Sequence, residues 1–241
     1  MIFNIVNNAN MNAGEKVIVL FSFVIAIMIA IVCHEVAHGY VAYLNGDLTA
    51  KFSGRLSLNP AKHFDLIGFL MMLFVGFGWA KPVPVDSRNF KNYKKGMVTV
   101  SLAGVTTNLL LATLFAIILA IVQLILKAAY ATVVANAFLT YLFLFFQYLC
   151  IYSIVANLTL MAFNILPIYP LDGYRLVETL AKPGNKYVAF MQRYGMWVLL
   201  ILLLGGNILG RITPWLNPIG MYINWVTNGI MNIFGKIFGI M

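Results

Sequence analysis

Forty-four consecutive residues, Ala128 to Leu171, carry no charged side chain. Other charge-free runs lie on either side: Leu66–Ala80, Met97–Leu126, Tyr194–Gly210 and Ile212–Gly235. Val17–Leu44 holds a single formal charge, Glu35. A chain of 241 residues built this way has too few charges to cover itself in water. Its residues are 62% hydrophobic and 10% charged, against about 45–50% and 25% in soluble domains. Soluble, collagenous and disordered classes are excluded, and two cysteines are too few for a disulfide scaffold. Cys33 and Cys150 read as small buried hydrophobes. What remains is an integral membrane protein.

A spanning helix needs about 20 apolar residues. The runs therefore predict an all-α polytopic membrane protein with about four to six transmembrane or re-entrant segments. A helix is expected at about 17–44 and a short or re-entrant segment at about 64–80. Spans follow at about 97–126, 140–170 and 194–210, and an interfacial segment at about 213–240. The whole chain, 1–241, reads as one membrane-embedded domain. The first run is too long, and lacks a small-residue cleavage site, for a signal peptide; it is expected to stay as an anchor. Asn45–Leu58, with Gly46 and Gly54 at turns and partial alternation, reads as a small membrane-associated β-hairpin.

The net charge of +9 would suggest nucleic acid in a soluble protein. Here the basic residues are concentrated by side. Twelve of the sixteen lie in Asn45–Asp65, Lys81–Gly96 and Gly173–Arg193. The positive-inside rule puts these loops in the cytoplasm. No nucleic-acid partner is expected, and the Lys91–Lys95 run reads as an anchor at anionic headgroups.

The chemistry is concentrated in His34-Glu35-Val36-Ala37-His38. Residues i and i+4 of a helix share one face, about 6 Å apart along the axis. Two imidazoles so placed can hold a zinc ion, and the adjacent Glu35 can take a proton from water. Ionisable groups in a membrane helix cost about 2.5–3.5 kcal/mol, so a cluster of them marks function. Zinc wants a third protein donor. Asp172 ends the longest apolar run, on the same predicted face. Pro167 and Pro170 break the helix before it, and Gly173 permits a turn after it.

With these residues in hand, the chain resembles the site-2 protease family, the M50-type intramembrane zinc metalloproteases, in its minimal bacterial branch without PDZ or CBS domains. The likeness covers roughly residues 17–205. His34–His38 and Asn164–Gly173 match the family's zinc-binding helix and its Asn-x-x-Pro…Leu-Asp-Gly segment. Gly54–Pro60, His63-Phe64-Asp65, Gly78–Val85 and Ser101-Leu102-Ala103-Gly104…Asn108 follow in order. Val105 stands where many members have proline, and Tyr174 where a second glycine is common; neither is a proposed ligand.

The resemblance implies hydrolysis of peptide bonds in or near transmembrane segments of membrane protein substrates, as in regulated intramembrane proteolysis. It implies one Zn²⁺ per chain held by His34, His38 and Asp172, with Glu35 as general base. Asn164, and also Asn108, would bind substrate backbone or the developing oxyanion. Asn108 has a second reading, bonding a zinc ligand or bridging helices. His63 would support a ligand or simply sit at the interface. The implied setting is the bacterial plasma membrane, multi-pass, with the active site towards the cytoplasm. A helical substrate would have to unwind, pairing with the edge of Asn45–Leu58 or with Gly76-Phe77-Gly78.

Two other readings use the same residues. A transporter or ion-binding protein could employ the His/His/Asp site, but it would normally show two matching halves, and none is visible. A zinc hydrolase for a lipophilic small molecule would differ in its products alone. A non-catalytic relative would need to have lost one of His34, Glu35, His38 or Asp172.

Overall fold

The computed structural model describes the chain apart from residues 1–4 and Val6, Gly76, Phe77, Arg211 and Met241. Three long helices form its centre. Helix α1 is Ala13–Leu44, opened by a capping box in which Asn12 and Glu15 each bond the other's backbone N–H. At about 1.5 Å per residue its 32 residues reach about 48 Å. Leu66–Val75 forms the short helix α2. Helix α3 is Tyr93–Ala128, capped by Asn92, and α4 is Ala137–Asn164, capped by Asn136. A short helix, Tyr130–Ala135, lies between them.

Lipid tails are as apolar as leucine, so these helices associate through close packing of small residues rather than through hydrophobic exclusion. Ala26 and Ala30 of α1, Ala112 and Ala116 of α3, and Ser153 and Ala162 of α4 are all buried. One apolar core runs between α3 and α4, with Val105 and Leu119 against Ile154 and Leu158. A second sets Phe23, Ile27 and Ile31 of α1 beside Tyr152, Ala156 and Leu160 of α4. The outward faces keep large apolar side chains such as Phe21, Leu110, Leu124 and Phe138 exposed, as a lipid-facing surface requires.

Helix α4 ends where the sequence says it must, just before Pro167. The chain turns through residues 165–171 into α5, Asp172–Leu180, which packs on α3. Helix α6 is Lys186–Leu200. It continues through a wider turn at Ile201–Gly205 into Gly206–Leu209, so the expected span at 194–210 begins eight residues earlier. Helix α7, Pro218–Phe238, packs along α3 and α4 and contributes Phe234 to their core, with Ile240 following it. Among the described residues, four helices are long and apolar enough to cross a membrane: Ala13–Leu44, Tyr93–Ala128, Ala137–Asn164 and Lys186–Gly205. The protein is an all-α, multi-pass membrane protein.

Two expectations are refined. The two ends of the segment expected at about 64–80 lie side by side. Phe64 and Ala80 form an antiparallel bridge, and the Lys81 N–H donates to the His63 carbonyl at 2.9 Å, so its two ends meet. Asn45–Leu58 is not a β-hairpin: residues Thr49–Phe52 form a helical turn, and the described residues contain no sheet. The cause is Asp47, whose carboxylate accepts from the Thr49 N–H and hydroxyl. Such local side-chain bonding offers the backbone an alternative to a strand ladder. Of the second segment suggested for pairing with substrate, Gly76 and Phe77 lie outside the described residues.

Candidate metal centre

His34 and His38 stand one turn apart on α1, and both are buried in the bundle. Their Nε2 atoms are 3.1 Å apart. Asp172, the first residue of α5, brings Oδ2 to 3.2 Å from His34 Nε2 and 3.0 Å from His38 Nε2. The fold-back that delivers it is tight. A β-carbon at Gly173 would lie 2.1 Å from the Ile165 carbonyl oxygen, so only glycine fits there.

The opposite edges of the two imidazoles fix what faces inward. His34 Nδ1 lies 2.6 Å from Asn108 Oδ1, and His38 Nδ1 lies 2.8 Å from the Val100 carbonyl. Both partners accept hydrogen bonds, so both Nδ1 atoms carry hydrogen and both Nε2 atoms present lone pairs. Asp172 Oδ2, buried, has no hydrogen-bond partner. Three electron-pair donors thus converge with no proton between them, an arrangement that repels itself unless a cation joins it. A tetrahedral zinc ion with bonds of about 2.0–2.1 Å keeps its ligand atoms about 3.3 Å apart. The observed 3.0–3.2 Å edges fit that ion.

Asn108 is held in turn. Its amide donates to Asn157 Oδ1 at 2.7 Å and to the Ala30 carbonyl at 3.2 Å, while Asn157 donates to the Ser153 carbonyl at 2.7 Å. Both asparagines are fully buried. Asn108, read from the sequence as a substrate or oxyanion group, as a partner of a zinc ligand or as a bridge between helices, here bonds a candidate ligand and bridges helices, with both amide hydrogens engaged inside the bundle. Gly104 lets α3 come this close: a β-carbon there would sit 2.3 Å from the His34 ring. Glu35 lies outside the converging trio, and its Oε2 accepts from the Val83 N–H at 2.9 Å.

The other sequence candidates sit elsewhere. His63 is fully buried, its Nε2 lying 2.7 Å from the Ser57 carbonyl oxygen. Asn164 closes α4, and its amide donates to the Leu160 carbonyl at 3.0 Å. Asp47, grouped by sequence with the basic loops, is fully buried. Burial opposes its charge, but hydrogen bonds from the Thr49 and Asn89 side chains and from the Asp86 and Thr49 N–H groups outweigh this. Its carboxyl is held below the usual aspartate range. Sequence reading missed Asn157. The signal was there: Ser153, Asn157 and Asn164 recur at helical spacing in an otherwise apolar run, a polar stripe on one face.

Comparison with known proteins agrees with this chemistry. Residues 22–204 match the model of peptidase family M50, and the chain belongs to that family. Among curated relatives named "Putative zinc metalloprotease", YwhC of Bacillus subtilis (strain 168) is 39% identical over 221 residues, 89% of this chain and 91% of YwhC. Rip2 of Mycobacterium tuberculosis (strain ATCC 25618 / H37Rv) is 32% identical over 206 residues, 82% of this chain and 71% of Rip2. No solved structure matches. The protein is a membrane metallopeptidase that uses zinc and acts on peptide bonds.

Proposed function

We propose that the protein is an intramembrane protease that cleaves membrane protein substrates in or near their transmembrane segments, as a step of regulated intramembrane proteolysis. The observation that carries this reading is the trio of converging donors, His34, His38 and Asp172, buried among spanning helices. These three residues would hold the zinc, which when bound would acidify a water and polarise the scissile carbonyl. Glu35 takes the proton of the attacking water and returns it to the leaving amine. One N–H of the Asn164 amide is engaged by Leu160; the other is the group that meets substrate backbone or the developing oxyanion. Peptide products from a fluorogenic single-span substrate, made by the zinc-loaded protein in detergent and suppressed by chelation, are the expected result. Zinc-loaded protein that leaves such substrates intact would remove the reading.

The Asn108–Asn157 pair serves this centre by holding His34 in the tautomer that presents Nε2. Asn157→Leu deletes the acceptor for the Asn108 amide while keeping the branched shape and heavy-atom count of the side chain. Zinc affinity is expected to fall about 10–100-fold, the usual cost of removing an outer partner of a metal ligand. Competition with a chelator measures it, and parental affinity in the variant would show that Asn157 only packs.

The active site is proposed to open to the cytoplasm, because the basic loops flank it. Single cysteines at Ser87, Lys94 and Lys182, in protein lacking Cys33 and Cys150, are expected to react with an impermeant reagent only after lysis. Labelling in intact cells would reverse the orientation.

A further inference from the structure

The segment Ala80–Asp86 crosses α1 beside the candidate base and is fastened at three points. At its start, the Lys81 N–H donates to the His63 carbonyl at 2.9 Å, and the Lys81 carbonyl accepts from Arg55 at 2.6 Å. At its end, the Asp86 N–H donates to Asp47 Oδ2 at 2.8 Å. Both anchors, His63 and Asp47, are 0% exposed. Between them the Val83 N–H donates to Glu35 Oε2. Pro82 and Pro84 stand on either side of Val83 and have no N–H. The Val83 amide is therefore the single main-chain donor between Lys81 and Val85, and it points at Glu35.

The strap also rests on the helix that carries Glu35. Gly39 lies one turn beyond Glu35, on the same face. A β-carbon at Gly39 would lie 2.8 Å from Val83 Cγ1 and 2.9 Å from Leu56 Cδ2, so the strap is seated against bare helix backbone. Nothing in zinc binding requires this arrangement, since no strap residue belongs to the donor trio.

We infer that the Lys81–Asp86 strap is a positioning element for catalysis: the Val83 amide pins one oxygen of Glu35 and leaves Oε1 as the oxygen that takes the proton. The flanking prolines stiffen the strap and keep other donors away from the carboxylate. His63 and Asp47 act through it as distant fasteners. This inference rests on the reading of Glu35 as general base.

The test compares zinc-loaded protein in detergent against a fluorogenic single-span peptide, with kcat and KM measured separately alongside zinc content. Val83→Pro deletes the amide, and Val83→Ala keeps it while trimming the side chain. Val83→Pro is expected to retain zinc, keep KM within about twofold and lower kcat at least tenfold below Val83→Ala. Small misplacements of catalytic groups carry losses of that order. Coupling is the decisive readout. In Glu35→Asp, whose carboxylate stops a methylene short of the amide, Val83→Pro is expected to cost less than about twofold more; a purely structural strap would give the full loss again. Equal kcat in Val83→Pro and Val83→Ala overturns the inference, as does full additivity. If Val83→Pro fails to fold or loses zinc, Gly39→Ala decides. Its added carbon should lower kcat with zinc retained, and Gly39→Ala/Val83→Ala should recover it; an unaltered kcat in Gly39→Ala refutes the positioning role. Failure of the base reading looks different, because Glu35→Gln would then remain active.

Discussion

Glu35→Gln is expected to bind zinc like the parent and to cleave substrate about 10²–10⁴-fold more slowly, the range that general acid–base catalysis contributes. The substitution isolates one property. Glutamine has the size of glutamate, and its side-chain oxygen can still accept from the Val83 N–H, which now bonds Glu35 Oε2 at 2.9 Å. What it lacks is the basicity to hold a proton between attack and departure of the amine. Zinc should stay, because Glu35 is no member of the donor trio formed by His34, His38 and Asp172. Zinc stoichiometry and turnover of a single-span substrate, read on the same sample, give the answer. Cleavage within about tenfold of the parent would remove Glu35 as the base, since it would fall below the usual contribution of such a group.

Asp172→Asn is expected to weaken zinc binding by more than tenfold, or about 1.4 kcal/mol, which is the lower bound set by losing mere outer partners of a metal ligand. Asparagine keeps the shape and one acceptor oxygen but not the charge. The site would then offer a divalent ion two neutral imidazoles and an amide, in a buried position where water cannot compensate. A small further loss of stability is expected, because Asp172 is the acidic residue in the first turn of α5 and favours the helix dipole there. Asp65→Asn provides the contrast. Asp65 Oδ1 accepts from the Gly68 N–H at 2.8 Å at the start of α2, a role asparagine can also fill. Chelator competition on the two variants separates the alternatives. If Asp65→Asn loses zinc while Asp172→Asn keeps it, the centre is built from the first loop and the assignment of Asp172 is wrong.

Membership in peptidase family M50 covers residues 22–204 and brings zinc and peptide hydrolysis with it. The fastened strap and the paired asparagines refine that chemistry within this chain. Each adds a hydrogen bond at the outer edge of a reactive group: the part-buried bond from the Val83 N–H to Glu35 Oε2 and the buried bond from His34 Nδ1–H to Asn108 Oδ1. In a low-dielectric interior such bonds are strong and directional, and the groups that make them have few alternatives.

Much of this protein was readable from local features. The spans follow from charge-free runs, because a charge in hydrocarbon is costly at every position. The pairing of His34 with His38 follows from 3.6 residues per turn, a geometry any α-helix imposes. The break before Asp172 follows from Pro167 and Pro170, which cannot continue a helical ladder. The hairpin expected at Asn45–Leu58 failed on a local matter too, since a buried Asp47 that bonds Thr49 outcompetes weak strand alternation.

Only the tertiary structure could decide which distant residues meet. His34 and Asn108 are 74 positions apart, Asn108 and Asn157 are 49, and Glu35 and Val83 are 48. The first two meetings depend on how closely α1, α3 and α4 approach, which is set by the absent side chain at Gly104 and small ones at Ala30, Ala112 and Ser153; the third depends on Gly39, which lets the strap sit against α1. A glycine in a sequence does not say what fills the space it leaves. Periodicity marks the face of a helix that is buried, but the partner of that face is chosen by steric fit across the whole bundle.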